Sequence, residues 1–214
     1  MKKVILMLVF VGAMVQSIFA QYDPKALAIL DAMSKKYKEI PGFKAKFSYS
    51  LMSDVTGVKE TSEGEITVKG GKFILKLANQ EIINNGTTVW TYVKESNEVN
   101  VSDYQPDEND ITPTKIYTMY KKGYKYIFIE EKTEAGKAFE TVDLIPEEKK
   151  NQIFKVRIEV NKKDKTVKSW KVFEKNGNRY LYSVKTFTPE PALPDNIFNF
   201  DKSKYKGVEV VDLR

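Results

Sequence analysis

Apolar and polar positions alternate with a period of two along most of this chain. Phe43, Ala45, Phe47, Tyr49 and Leu51 point one way, and Lys44, Lys46, Ser48 and Ser50 point the other. That is the pattern of a strand with one buried face. From Gly64 to Val101 the rhythm breaks into five short strands, carrying Ile66/Val68, Phe73/Leu75/Leu77, Ile82/Ile83, Val89/Trp90/Tyr92 and Val99/Val101. Gly70-Gly71 and Asn84-Asn85-Gly86 are the strongest turn signals, because Gly and Asn accept the positive φ of tight hairpin loops. Past Gly123 the cadence resumes over 124–130, 138–145, 152–160, 166–174 and 179–187, the spacing of an antiparallel meander. Pro189, Pro191 and Pro194 predict an extended connector that cannot join a central ladder, and a last strand is expected over 208–212.

A period near 3.6 replaces the alternation in two places. Asp23-Pro24 supplies an N-cap and a first-turn proline, and Ala26, Ile29, Leu30, Met33, Tyr37 and Ile40 form one apolar face before Pro41-Gly42. This predicts an amphipathic helix laid on a sheet. Thr112-Pro113 to Gly123 predicts a second, short helix crowded with Ile116, Tyr117, Met119 and Tyr120. It acts either as a lid or as core packing. Between sheet and second helix, Asp103 and the run 104–110 make an acidic loop without the spacing of a calcium loop, which reads as solvated surface.

The first twenty residues stand apart. Lys2-Lys3, an apolar run from Val4 to Val15 and Ile18-Phe19-Ala20 before Gln21 have the make-up of a secretory signal peptide. The expected organisation is therefore a signal peptide over 1–20 and a single domain over 21–214. Losing Lys2 and Lys3 lowers the formal charge from +6 to +4. A mildly basic exported domain suits anionic membrane surfaces better than nucleic acid, since its lysines are dispersed. The chain has no cysteine and no histidine, so it carries no disulfide and no lipid-bearing cysteine. The commonest general base and metal ligand are also missing.

No nucleophile elbow, phosphate-binding glycine loop or zinc-protease motif occurs. The carboxylate pairs Glu130-Glu131 and Glu147-Glu148 fall at strand ends and turns, where solvated surface is the ordinary reading. The sequons at Asn85 and Asn100 matter only in a eukaryotic secretory pathway. Neither an enzyme nor a metal or cofactor is expected. What remains is an aromatic-rich sheet with helices on one face, which either packs a solid core or encloses a ligand cavity.

Val68-Lys-Gly-Gly-Lys-Phe-Ile-Leu75, Ile82-Ile-Asn-Asn-Gly-Thr-Thr-Val-Trp-Thr-Tyr92 and the tail Phe198-Asn-Phe200 … Lys206-Gly-Val-Glu-Val-Val-Asp212 resemble the outer-membrane lipoprotein carrier family, the LolA type. The order and spacing of these segments match along the mature chain. The resemblance implies a mainly β (α+β) fold, an incomplete antiparallel β-barrel of about 11 strands covered by helices and holding a hydrophobic cavity. It implies a periplasmic chaperone that takes lipoproteins by their acyl chains from an inner-membrane release ABC transporter to an outer-membrane acceptor. A periplasmic lipid or lipopeptide sensor on the same fold is the alternative. The missing cysteine favours the soluble shuttle, expected as a monomer, over the family's lipidated LolB-type receptor. Under this resemblance Phe43, Phe47, Tyr49, Phe73, Leu75, Trp90 and Tyr92 line the acyl-chain cavity. Trp90/Tyr92 and Val89/Thr91 are alternative inward pairs on their strand. Leu30, Met33, Ile116, Met119 and Tyr120 form the lid. Lys69 aligns with the family arginine that latches the lid, Gly70 with its proline and Leu75 with its tryptophan. Lysine keeps the charge of that latch without its planar fork.

Overall fold

The computed structural model describes residues 22–105 and 114–214. Twelve strands form one open sheet: β1 Gly42–Ser53, β2 Lys59–Lys69, β3 Lys72–Leu77, β4 Gln80–Asn84, β5 Thr88–Val93, β6 Glu98–Asp103, β7 Tyr124–Glu134, β8 Lys137–Pro146, β9 Ile153–Asn161, β10 Val167–Glu174, β11 Asn178–Pro189 and β12 Glu209–Asp212. Their order is β12-β6-β5-β4-β3-β2-β1-β11-β10-β9-β8-β7, so β7 and β12 are the outermost strands, they do not pair with each other, and the barrel is incomplete. The five strands expected from Gly64 to Val101 are β2 to β6. Gly70 at φ 57° and Gly86 at φ 98° take the left-handed conformation their turns require.

Three details correct the sequence reading. The about eleven antiparallel strands expected are twelve among the described residues, in keeping with the fold class, but the last of them, β12, lies parallel to β6, with Glu209 opposite Glu98 and Asp212 opposite Val101. Pro189 ends β11 opposite Phe43 instead of opening the connector. The second helix is absent among the described residues: 114–118 are turns, followed by a single 3-10 turn, Met119–Lys121, with no side-chain cap. Ile116, Tyr117 and Thr118 are weak helix formers, and a nucleus this short has little to propagate. Thr112 and Pro113, like most of the acidic loop and residues 1–21, lie outside the described residues.

The helix α1, Pro24–Glu39, forms as its pattern predicts and buries Ala26, Ile29, Leu30, Met33 and Tyr37. Asp23 starts it. Its Oδ1 accepts from the N–H of Lys25 at 2.8 Å and of Ala26 at 3.3 Å. Its Oδ2 accepts from the N–H of Phe128 at 2.9 Å, tying the helix start to β7. Burial raises the Asp23 carboxyl, but these three donors outweigh it and hold the group below its ordinary value. From there α1 crosses one face of the sheet, which we term the inner face. Val142, Leu144, Val156, Ile158, Val160, Val172 and Trp170 are buried with it in one core.

Directly paired residues share a face. The inner row runs Ala45, Ile66, Leu75, Ile82, Thr91, Asn100, and the outer row Lys44, Thr67, Ile74, Ile83, Trp90, Val101. On β8 to β10 the outer face is polar, with Asp143 gripped by Arg157 Nε at 2.7 Å and Nη2 at 2.9 Å. On β4 to β6 it is apolar, and the chain covers it with its own tail. After β11 the backbone N–H of Glu190 donates to Gly42, Leu193 is buried, and Asp195 meets Lys72 at 2.9 Å. Phe198 is then fully buried, and Tyr205 packs edge-on against Tyr92 at 4.7 Å while donating to Glu81. This strap from 190 to 208 ends in β12 beside β6.

Candidate functional site

The inner face is only partly covered. Where α1 ends, Tyr37, Phe43, Ala45, Phe47, Ile66, Val167, Trp170, Val184 and Phe187 enclose an apolar void of about 30 Å³. Tyr37 closes it from the helix side. Its Oη accepts from the N–H of Val167 at 3.1 Å, and its ring stacks on Tyr117 at 4.6 Å and meets Phe43 and Phe187 edge-on at 5.8 and 5.6 Å. Burial drives the Tyr37 phenol well above its ordinary pKa, so it stays neutral. Outside Tyr37 and Phe43 a pocket of about 300 Å³ opens between the end of α1, Pro41, Val68, Gly70 and Tyr117. Void and pocket share the walls formed by those two rings.

Along the sheet from the void, the inner face is half-buried rather than sealed. Tyr49 tilts against Tyr182 at 5.0 Å, and Tyr182 stacks flat on Trp170 at 4.6 Å. Trp170 is buried, and its Nε1 has no hydrogen-bond acceptor among the described residues. Burial pushes the Tyr182 phenol up to about 12. Phe73, Leu75, Leu77, Tyr180 and Val184 are partly buried against the same core. Gly64 makes room for two of these rings and chains: a β-carbon there would lie 2.6 Å from Phe47 Cζ and 2.9 Å from Leu77 Cδ2.

The structure sorts the expected cavity residues into three groups. Phe43 and Phe47 line the void, and Tyr49, Phe73 and Leu75 lie on the same inner face around it. Trp90 and Tyr92 do not join them. Opposite Ile83 and Glu81, they occupy the outer face, and it is Val89 and Thr91 that point inward. Sequence pattern could not decide this, because Val89, Trp90 and Tyr92 are all apolar and both faces of β5 are covered. Of the expected lid residues, Leu30 and Met33 are fully buried under α1, and Ile116 and Tyr120 are nearly so. Met119 packs partly buried beside them.

Lys69 is a correction of a different kind. Its Nζ donates to the Leu193 carbonyl at 2.7 Å and sits 3.3 Å from Asp195. Lys69 therefore clasps the strap on the outer face; opposite Gly42 in the ladder, it faces away from α1. Lys72 and Lys69 together hold the Asp195 carboxyl below its ordinary value. Sequence reasoning missed Val167, Trp170, Val184 and Phe187 as void-lining residues. The alternation of β10 and β11 carried them, but nothing in it says which strands α1 lies across. No cluster of residues suited to a metal ion occurs among the described residues.

The inner face is thus a half-covered apolar interior in an open sheet with one long helix laid across it. The profile of the family described as outer membrane lipoprotein carrier protein LolA matches residues 38–201, and the chain belongs to this family. Among solved structures, an uncharacterized conserved protein from Thermus thermophilus shares the fold at TM-score 0.54 and 11% identity, covering 88% of this chain and 99% of that one. A LolA superfamily protein from Nitrosomonas europaea is similar at TM-score 0.45 and 11% identity, with 82% and 98% covered. Mycobacterium tuberculosis lipoprotein LppX is similar at TM-score 0.49 and 7% identity, with 78% and 97% covered. No curated protein matches the sequence.

Proposed function

We propose that this protein is an exported, non-enzymatic carrier that binds acyl chains of lipoproteins on its inner face and moves them through the periplasm. The observation that carries this reading is the incomplete cover of that face. Aromatic and aliphatic side chains from Tyr49 to Tyr182 are left part-exposed beside a void that already exists. The void is far below the roughly 300–1,000 Å³ of a ligand pocket, so it has to widen before it can hold cargo. Loading requires α1 and the 114–121 segment, with Leu30, Met33, Ile116, Met119 and Tyr120, to move off the sheet. Burying about ten methylenes at about 0.8 kcal/mol each gives roughly micromolar affinity before ordering costs. That strength holds cargo across water and still lets it go, with no covalent step.

The partners under this reading are an inner-membrane lipoprotein-release ABC transporter as donor and an outer-membrane acceptor, with the carrier acting as a monomer. The test adds purified domain (residues 21–214) to spheroplasts loaded with radiolabelled lipoprotein. A soluble complex of protein and label is expected. Tight acyl-chain binding without release of lipoprotein would replace the carrier by a lipid sensor.

A further inference from the structure

A second pocket, of about 300 Å³, lies at the opposite end of α1, between the helix, the turn at 119–121, the start of β7 and the loop after β8. Its walls are mainly phenol rings and carboxylates, with Leu27, Lys121 and Gly123 filling the rest. Tyr22, Tyr120 and Tyr126 meet edge to face, the Tyr126 centroid lying 5.3 Å from Tyr22 and 6.4 Å from Tyr120. Asp31 and Glu147 complete the box. Tyr120 donates its hydroxyl to Asp31, and Tyr22 donates to Glu147 at 2.7 Å. These bonds orient the rings, and each carboxylate keeps a second oxygen. The Glu147 bond raises the Tyr22 phenol, and burial followed by the Asp31 bond raises that of Tyr120, so both phenols remain neutral donors.

We propose that this pocket binds an organic ammonium group, through the π-faces of Tyr22, Tyr120 and Tyr126 and the charges of Asp31 and Glu147. Ring quadrupoles attract cations, most strongly where water is thin. Tyr120 and Tyr126 are at most 9% exposed, while Tyr22 at 50% forms the rim. The chain already places an ammonium against this wall, since Lys121 Nζ lies 5.7 Å from the Tyr120 ring centroid. In a lysine-rich protein this pocket concentrates carboxylate and aromatic groups around one cation. Choline or ethanolamine lipid headgroups and free amines share the chemistry it would recognise. The proposal stands whether or not the inner face takes acyl chains.

Calorimetric titration of the intact domain (residues 21–214) with choline chloride and with its uncharged tert-butyl isostere tests it. Saturable choline binding is expected, with the isostere about tenfold weaker or more. Tyr22→Leu at the exposed rim and Asp31→Asn, which keeps an acceptor for Tyr120, should each weaken choline about threefold or more. Lys121→Gln removes the resident cation and should tighten it. Retention on vesicles of phosphatidylethanolamine in phosphatidylglycerol, but not on phosphatidylglycerol alone, would identify a lipid headgroup as the source. Choline binding without that preference would identify a soluble amine. Equal binding of choline and isostere, or saturation by neither, overturns the proposal.

Discussion

Tyr37 concentrates much of this structure's logic in one side chain. It ends the apolar face of α1, satisfies the buried N–H of Val167 and divides the inner void from the outside pocket. Replacing it by Phe keeps the ring and strands one buried donor, a loss of about 1–3 kcal/mol. Replacing it by Ala should cost about 3–5 kcal/mol and merge void with pocket. Urea unfolding reads the two costs. An environment-sensitive apolar dye should then bind Tyr37→Ala but not Tyr37→Phe; equal dye binding would mean that the ring is no barrier. Gly64 makes the converse point. An added methyl meets Phe47 and Leu77 at under 3 Å, so Gly64→Ala is expected to lower stability by about 1–3 kcal/mol through overpacking, seen as a reduced melting temperature. Neither role was legible beforehand: Tyr37 reads as one apolar position among six, and Gly64 only as the start of the five-strand stretch.

Among the elements, α1 forms as its pattern predicts, and the second helix that the sequence predicts does not form among the described residues. The first has a cap, a proline at its start, sixteen residues and a continuous apolar face. The 114–121 segment has one crowded cluster, held by tertiary contacts and by isolated turn bonds such as Met119 N–H to the Lys115 carbonyl, not by a continuous helical ladder. The cap of α1 also acts as a brace, since the same carboxylate binds β7. Asp23→Ala should therefore cost about 1–2 kcal/mol for the cap alone, with Asp23→Asn intermediate. Hydrogen exchange should show the loss at the first turn of α1 and at Phe128 together. Loss at the helix only would mean that the brace adds nothing. The strap was half legible: its prolines marked an extended connector and its aromatic residues a packing surface, but not which face it covers. Leu193, buried against Gly42, is its anchor. Leu193→Ala should cost about 2–5 kcal/mol and open the 190–208 segment to limited proteolysis. Lys69→Met, which loses a half-exposed ion pair but also the bond to the Leu193 carbonyl, should do so more weakly.

For the whole molecule, acid is the condition the ionised groups predict to be harmful. Asp23 and Glu159 both have carboxyls held below their ordinary values. In each, burial works upward but is outweighed, by backbone donors for Asp23 and by Lys132, Ser169 and Lys168 for Glu159. A depressed folded-state pKa contributes stability that is complete above the ordinary carboxylate pKa and is lost as pH falls through the folded value. The melting temperature should thus decline between about pH 5 and pH 3, and the double variant Asp23→Asn, Glu159→Gln should start lower and decline less. A parallel decline would assign the acid sensitivity to other groups. Deleting the chain beyond Pro189 tests the architecture on the same scale. It uncovers Ile83, Val99 and Val101, each at most 4% exposed, and should yield an aggregating protein rather than a smaller barrel. The other edge is blunted already, since Glu130, Glu131, Lys132 and Glu134 on β7 oppose strand-to-strand pairing.

The amino-acid sequence by itself determined the strands of the meander, the capped helix and the likeness to the lipoprotein carriers. Those depend on local periodicity, on turn chemistry and on short segments whose order along the chain is read directly from the sequence. Only the tertiary structure decided which way β5 faces, that Lys69 clasps the tail rather than the lid, and that β12 runs parallel to β6. It also decided that the interior space shrinks to a void closed by Tyr37. Each of these depends on contacts between segments far apart in sequence, such as Lys69 with Leu193 and Tyr37 with Val167. An apolar strand covered on both sides carries no alternation from which its orientation could be read.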